Sequence, residues 1–287
     1  MGPIFRQTGR WIAQHRTLVV GGVIVLVVVA GAVFAPYLAP MDPNALDLIH
    51  RLEPPSWLSH DETPYVLGSD GFGRDVFSRI LFALRVSLII VVAAIGISGL
   101  FGTALGLLAG YYEGRVGMII MRLVDMQLAV PPILLAITVV AVFGTSLANL
   151  VVVLAVGTWV TYARIVYGEA RSMKHMEYVL AARSIGASDL WIIWTHILRN
   201  SFGVIVVIAT LQVGRLILFE AALSFLGLGV PPPTPSLGSM LSEGRNVLPV
   251  ANWLATFPGA TIVLTVLGIN FLGSGLRELL DPRLRSR

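Results

Sequence analysis

Apolar residues fill this 287-residue chain in six long runs, separated by short polar breaks. The runs cover about 17–39, 86–111, 118–143, 147–166, 203–228 and 255–276. Each meets or exceeds the roughly 20 residues that a helix needs to cross hydrocarbon. The pattern therefore predicts an all-α integral membrane protein with six transmembrane helices. The third run is the least uniform: Arg122, Asp125 and Gln127 stand in its first turns, and Pro131–Pro132 interrupt it. Between the fourth and fifth runs lies a charged island, 178–200, with a pattern of its own. Tyr178–Ser184 is helix-prone, and Gly186 supplies a left-handed stop. Ser188 or Asp189 can cap a second helix that runs to about Leu198. A helical hairpin this short has little core of its own, so Ile185, Leu190, Ile193 and Ile197 must pack on something else.

Basic residues orient the spans. One set of connections holds 14 of the 20 Lys and Arg residues: Arg6, Arg10 and Arg16; Arg115 and Arg122; Arg164, Arg171, Lys174, Arg183 and Arg199; and Arg277, Arg283, Arg285 and Arg287. The opposite set holds 5, namely Arg51, Arg74, Arg79, Arg85 and Arg245. The bias places both termini and the hairpin in the cytoplasm, and residues 40–75 outside. Asp42, Asp47, Glu53, Asp61, Glu62, Asp70 and Asp75 cluster in that outer loop. The net charge of +4 is thus a topology signal and makes no case for nucleic-acid binding. Only 13% of residues are charged, against about 25% in a soluble domain. The first run follows three arginines, as in a signal peptide, but it is longer than an h-region of about 7–15 residues and reads as a retained helix.

The outer segments carry their own signals. Pro54–Pro55, Trp57 and Pro64 suggest an irregular lobe, and Gly68, Asp70 and Gly71 a turn. Asp75 can cap a helix whose apolar face is Phe77, Leu81, Leu84 and Leu88, lying in the outer interface and leading into the second span. Asp70, Arg74 and Asp75 are candidates for docking an extracytoplasmic protein, with helix capping as the plainer role. The 70–75 segment lacks the alternating ligands and distal Glu of an EF-hand loop, so no metal is expected there. Pro231–Pro233 and Pro235 force an extended exit from the fifth span, and 236–247 reads as a short re-entrant or interfacial helix. Within the membrane, Ala94, Ser98, Gly102, Gly106 and Gly110 form a small-residue stripe that admits a close neighbour. Arg215 and Glu220, with Asn270 behind them, are the polar residues at membrane depth, either structural or lining a path. Five helical residues separate Arg215 from Glu220 by about 140°, so a direct pair is not assured.

Ala181–Ala182, Gly186 and Ile197–Leu198 resemble the "EAA" loop of the permease subunits of bacterial ATP-binding-cassette (ABC) importers. Leu180 stands where that family usually has Glu, and Arg199 where it usually has Pro. GSDGFGRDVFSRILFALRVSL (68–88), EAALSFLGLGVPPPTPSLGSML (220–241) and GLRELLDPR (275–283) are similar to the dipeptide/oligopeptide/nickel-type subfamily, in the same order, and to its C-type subunit. The resemblance implies an ABC type-I importer permease fold with a cytoplasmic coupling hairpin in the bacterial inner membrane. It implies a coupling role for Tyr178, Ala181, Ala182, Gly186, Ala187, Asp189, Ile197 and Leu198. It further implies a second homologous permease, two ABC ATPase subunits that bind ATP and Mg, and an extracytoplasmic substrate-binding protein. The chain then divides into an N-terminal tail, first helix and outer loop (1–85), a five-helix core (86–277) and a cytoplasmic tail (278–287). Peptides are the expected cargo, with nickel chelates, glutathione or another small solute as alternatives.

The missing chemistry agrees with a transport subunit that has no catalytic residues or cofactor of its own. The single lysine, Lys174, follows Met173, so no P-loop can form. No HExxH or G-x-S-x-G occurs, and no cysteine. A secondary transporter would need no docking hairpin, and a DNA-reading helix-turn-helix would not sit between membrane spans.

Overall fold

The computed structural model describes residues 15–59 and 63–280. Arg6, Arg10, Asp61, Glu62 and the arginines at 283, 285 and 287 lie outside the described residues. Among the described residues every regular element is helical, apart from one bridge between Ser69 and Asp75. In chain order the helices are α1 (Arg16–Val33), α2 (Ala35–Leu38), α3 (Val76–Tyr112), α4 (Gly114–Ala129), α5 (Pro132–Phe143), α6 (Leu147–Met173), α7 (Glu177–Ser184) and α8 (Asp189–Ile192). A π-helical turn (Ile193–Leu198) then leads into α9 (Arg199–Phe225), followed by α10 (Leu237–Arg245) and α11 (Trp253–Leu280). Five helices are long and apolar enough to span a membrane: α1, α3, α6, α11, and α9 with its lead-in from Asp189. α4 and α5 together supply a sixth crossing if taken as one bent span.

Three elements differ from the sequence pattern. The third apolar run is not one straight helix: α4 and α5 meet at 84°. Val130 and Pro131 are both extended there, since a residue before proline avoids the helical region and Pro131 has no N–H to give. The second span is longer than its apolar core. α3 starts at Val76 and runs 37 residues without a break, about 55 Å, so the expected interfacial helix is simply its first turns and the 85/86 division falls inside it. The third difference concerns the hairpin's second arm and is described with the site.

α3 and α6 form the central pair. The small-residue stripe on α3 faces α6, where a Cβ at Gly106 would come within 2.7 Å of the Ala163 carbonyl, and one at Gly110 within 2.6 Å of Tyr167's. The two backbones are in contact, so any side chain there would force them apart. α1 lies along α11, and α9 packs between α11 and α3. The 40–75 lobe is pinned to the start of α11, where Trp253 Nε1 donates to the Ser69 carbonyl at 3.2 Å. α10 opens with a reciprocal Ser236–Ser239 capping box and rests on α9 and α11.

Candidate functional site

The hairpin has two unlike faces. Val179 and Ala182 of α7, with Ile192, Ile193 and Ile197 of the second arm, are buried against Leu107 and Tyr111 of α3 and Val166 and Ala170 of α6. The opposite face is bare: Ile185 is 84% exposed, Trp194 67% and Leu190 62%. Gly186 makes the turn between arms at φ +83°, and the Ser188 hydroxyl caps the second arm by accepting from Trp191 N–H. Of the residues expected to couple, Ala182 and Ile197 face inward, Ala187 and Leu198 are half-buried, and Tyr178, Ala181, Gly186 and Asp189 are exposed.

The second arm does not end near Leu198. It passes through the π turn into α9, giving one continuous helix from Asp189 to Phe225. Arg199 stands at the junction, and its backbone N–H lets the helix continue where proline would stop it. The hairpin is therefore the tip of a membrane helix, not a separate island.

Tyr111, at the end of α3, joins the two arms. Its hydroxyl donates to Asp189 Oδ1 at 2.5 Å and accepts from Arg183 Nη2 at 3.0 Å. The Arg183 guanidinium also lies over the Tyr111 ring, 5.5 Å from its centroid. Sequence reasoning missed Tyr111 and Arg183 in this role. Tyr111 lies 78 positions before Asp189, and the only local signal is a hydroxyl-bearing ring at the tip of a span.

At the other end of α3, Asp70, Arg74 and Asp75 are buried and turned into the protein. Asp70 Oδ2 accepts from Arg74 Nε at 2.6 Å and from Arg79 Nη1 at 2.7 Å. Both guanidinium groups reach Glu243 of α10, at 3.2 and 3.5 Å. Asp75 caps α3, accepting from the Ser78 amide at 2.8 Å and from its hydroxyl at 2.6 Å. These three residues thus hold α10 and the outer lobe to α3 and present little surface to a partner. Partial burial raises the Glu243 carboxyl's pKa, against the pull of Arg74.

The intramembrane pair separates. Glu220 is wholly buried, accepting from Ser87 of α3 at 2.8 Å and from Ser224 at 2.7 Å. Arg215 faces the other way, into a cavity of about 310 Å³. Asn270, on α11, is exposed and stands opposite Gly214. Among the described residues no three His, Asp or Glu side chains gather where one ion could be held.

Long apolar helices, a bent helix pair and a hairpin anchored to them define a multi-pass membrane protein. Residues 102–286 match the family described as "Binding-protein-dependent transport system inner membrane component", and the chain belongs to that family. Residues 5–55 match the "N-terminal TM domain of oligopeptide transport permease C". The chain is 45% identical over 278 residues to the glutathione transport system permease protein GsiD of Pectobacterium atrosepticum, covering 96% of this chain and 90% of that protein. It is 40% identical over 272 residues to the dipeptide transport system permease protein DppC of Haemophilus influenzae, covering 95% and 92%. With the di/tripeptide transport system permease protein DppC of Pseudomonas aeruginosa it shares 41% over 273 residues, covering 95% and 90%. It is an inner-membrane transport subunit of the binding-protein-dependent kind.

Proposed function

We propose that this chain is one of two homologous permease subunits that together enclose the path of an ATP-driven importer for di- and oligopeptides. Two separate ATPase subunits would bind ATP and Mg, this chain holding no cofactor, and an extracytoplasmic protein would deliver the cargo. Both termini and the hairpin lie in the cytoplasm, with 40–75 outside, as the 14-to-5 bias of basic residues argues. Residues 86–277 form the core that the two permeases share, flanked by 1–85 and the tail 278–287.

The observation that carries the reading is the hairpin's division into a buried inner face and a bare apolar outer face. Ile185, Leu190 and Trp194 are costly to leave in water, and a groove on an ATPase subunit would cover them. Closure of the ATPases on ATP would move this tip, and α9 is one helix with it, so the motion enters the membrane directly. The free energy comes from the ATPases' unequal preference for the two conformations. A glutathione cargo is the second reading, favoured by the name of the Pectobacterium relative.

The test is co-purification of the importer with Ile185→Asp/Leu190→Asp in this chain. The ATPase subunits are expected to be lost, while the second permease stays bound. A double variant that retains its ATPases and imports normally would sink the docking surface. For topology, a cysteine at Ile49 should react with an impermeant reagent on intact cells, since the parent chain has no cysteine.

A further inference from the structure

The cavity beside Arg215 contains two polar side chains that have no partner. Gln212 and Arg215 stand three residues apart on α9 and so share one face. Both line the 310 Å³ cavity, together with Leu154 and Thr158 of α6, Phe219, and Pro132 at the start of α5. Pro132 follows directly on the 84° corner, so the broken span forms part of the wall. The rest of the lining is mostly apolar.

Neither side chain makes a hydrogen bond or an ion pair among the described residues, although Gln212 is only 7% exposed. A buried primary amide without a hydrogen bond is costly, and Arg215, which is exposed where it lines the cavity, carries a charge that is costly within a span unless it meets water or an anion. Glu220 makes no ion pair with Arg215: it faces another side of α9, toward Ser87 and Ser224. Among the described residues no acidic side chain lines the cavity. Two donor groups therefore converge on one space with a net positive field and no partner among the described residues. The planar fork of an arginine matches the two oxygens of a carboxylate, and the amide N–H of Gln212 adds a third donor on the same side.

We propose that Gln212 and Arg215 form a station within the membrane that holds a carboxylate of the cargo as it passes. The station rests on the reading of this chain as half of an import path, and it sharpens that reading: the cargo reaches the membrane interior with a free carboxylate. Held by hydrogen bonds and one charge beside the exposed Arg215, the carboxylate can bind and leave, as a path requires.

The experiment uses the complete importer in proteoliposomes. A cysteine is placed by Gln212→Cys, and its reaction is timed with an anionic and a cationic methanethiosulfonate reagent. The anionic reagent is expected to react faster. Adding Arg215→Gln should lower the anionic-to-cationic rate ratio by at least about fivefold, the scale of one nearby charge in water. Equal rates, a ratio indifferent to Arg215→Gln, or no reaction with either reagent would overturn the station. So would Arg215→Gln releasing the second permease on a sizing column while Arg215→Lys keeps it, since the charge would then hold the partner subunit. In parallel, uptake of alanylalanine and of glutathione is measured. Charge-selective labelling in a parent importer that takes up neither compound supports the station and sinks only the peptide and glutathione reading. Alanylalanine uptake that is equal in parent and Arg215→Gln sinks the station and leaves the peptide reading intact.

Discussion

The two ends of α3 are each tied to another element by polar contacts, but in unlike ways. At the loop end, four charged groups (Asp70, Arg74, Arg79 and Glu243) join α3 to α10, and three of them are buried. At the hairpin end a single phenol, Tyr111, joins α3 to both arms, among partly exposed neighbours. Removing one member of a buried charge cluster strands the others in low dielectric, whereas losing one hydroxyl leaves groups that water can still reach. The loop end is therefore a fixed joint and the hairpin end a releasable one. On the proposed reading, in which the ATPases act on the hairpin, give is needed at that end.

The largest effect is expected from Asp70→Leu, which leaves the buried Arg74 and Arg79 with only the partly exposed Glu243 to offset two charges. It should cost about 3–5 kcal/mol and appear as a fall in melting temperature and yield of the purified complex. Unchanged melting would mean that the joint is not fixed. Gly186→Val comes next. The residue sits at φ +83° with open space around it, so the penalty is backbone strain of about 1–3 kcal/mol confined to the turn. ATPase retention should drop while the melting of the spans barely moves. Equal retention in parent and variant would count against the turn as the docking geometry. Tyr111→Phe should cost only about 0.5–1.5 kcal/mol. Its signature is functional: more ATP hydrolysed per cargo molecule imported, because the hairpin can move without α3. An unchanged ratio would make Tyr111 a mere packing residue.

The smallest effect concerns pH. The folded-state pKa of Glu243 is raised above its ordinary 4.5, mainly by burial. A group raised in this way favours the folded form below its unfolded pKa, and that contribution is lost as pH rises through the folded value. Glu243→Gln should therefore flatten the melting temperature's dependence on pH just above 4.5, where the parent loses this contribution. A variant that follows the parent's curve would show that Glu243 does not titrate with folding.

Much of this was legible from local pattern. The spans announce themselves because each needs about 20 apolar residues, and the Asp75 cap, the Gly186 turn and the Ser188 cap are short-range signals that the structure repeats. The break at Pro131–Pro132 could be seen, but not its angle, which depends on what α6 offers each half. The loop-end joint was out of reach: Glu243 lies 169 positions from Arg74, and nothing local marks it as a partner. Asp70 and Arg74 therefore read as docking candidates or as part of a helix cap. Continuity of the second arm into α9 was hidden for a different reason. The polar pair Arg199–Asn200 reads as a loop, yet neither residue breaks a helix. The fates of Arg215 and Glu220 were half visible, since helical geometry separates them but only α3's Ser87 shows which one is held.

The π turn at Ile193–Leu198 sets the phase of everything that follows it in α9. Such a turn is in effect one residue added to an α-helix, and one residue is about 100° of rotation. The azimuth of Glu220 toward Ser87, and of Gln212 and Arg215 toward their cavity, is thus dialled in from the hairpin, some twenty residues away. If the added residue slid along the helix, each position it passed would turn by that angle without any change in the hairpin's own contacts. The π turn thus ties the direction that the polar residues of α9 face to the geometry of the hairpin's second arm.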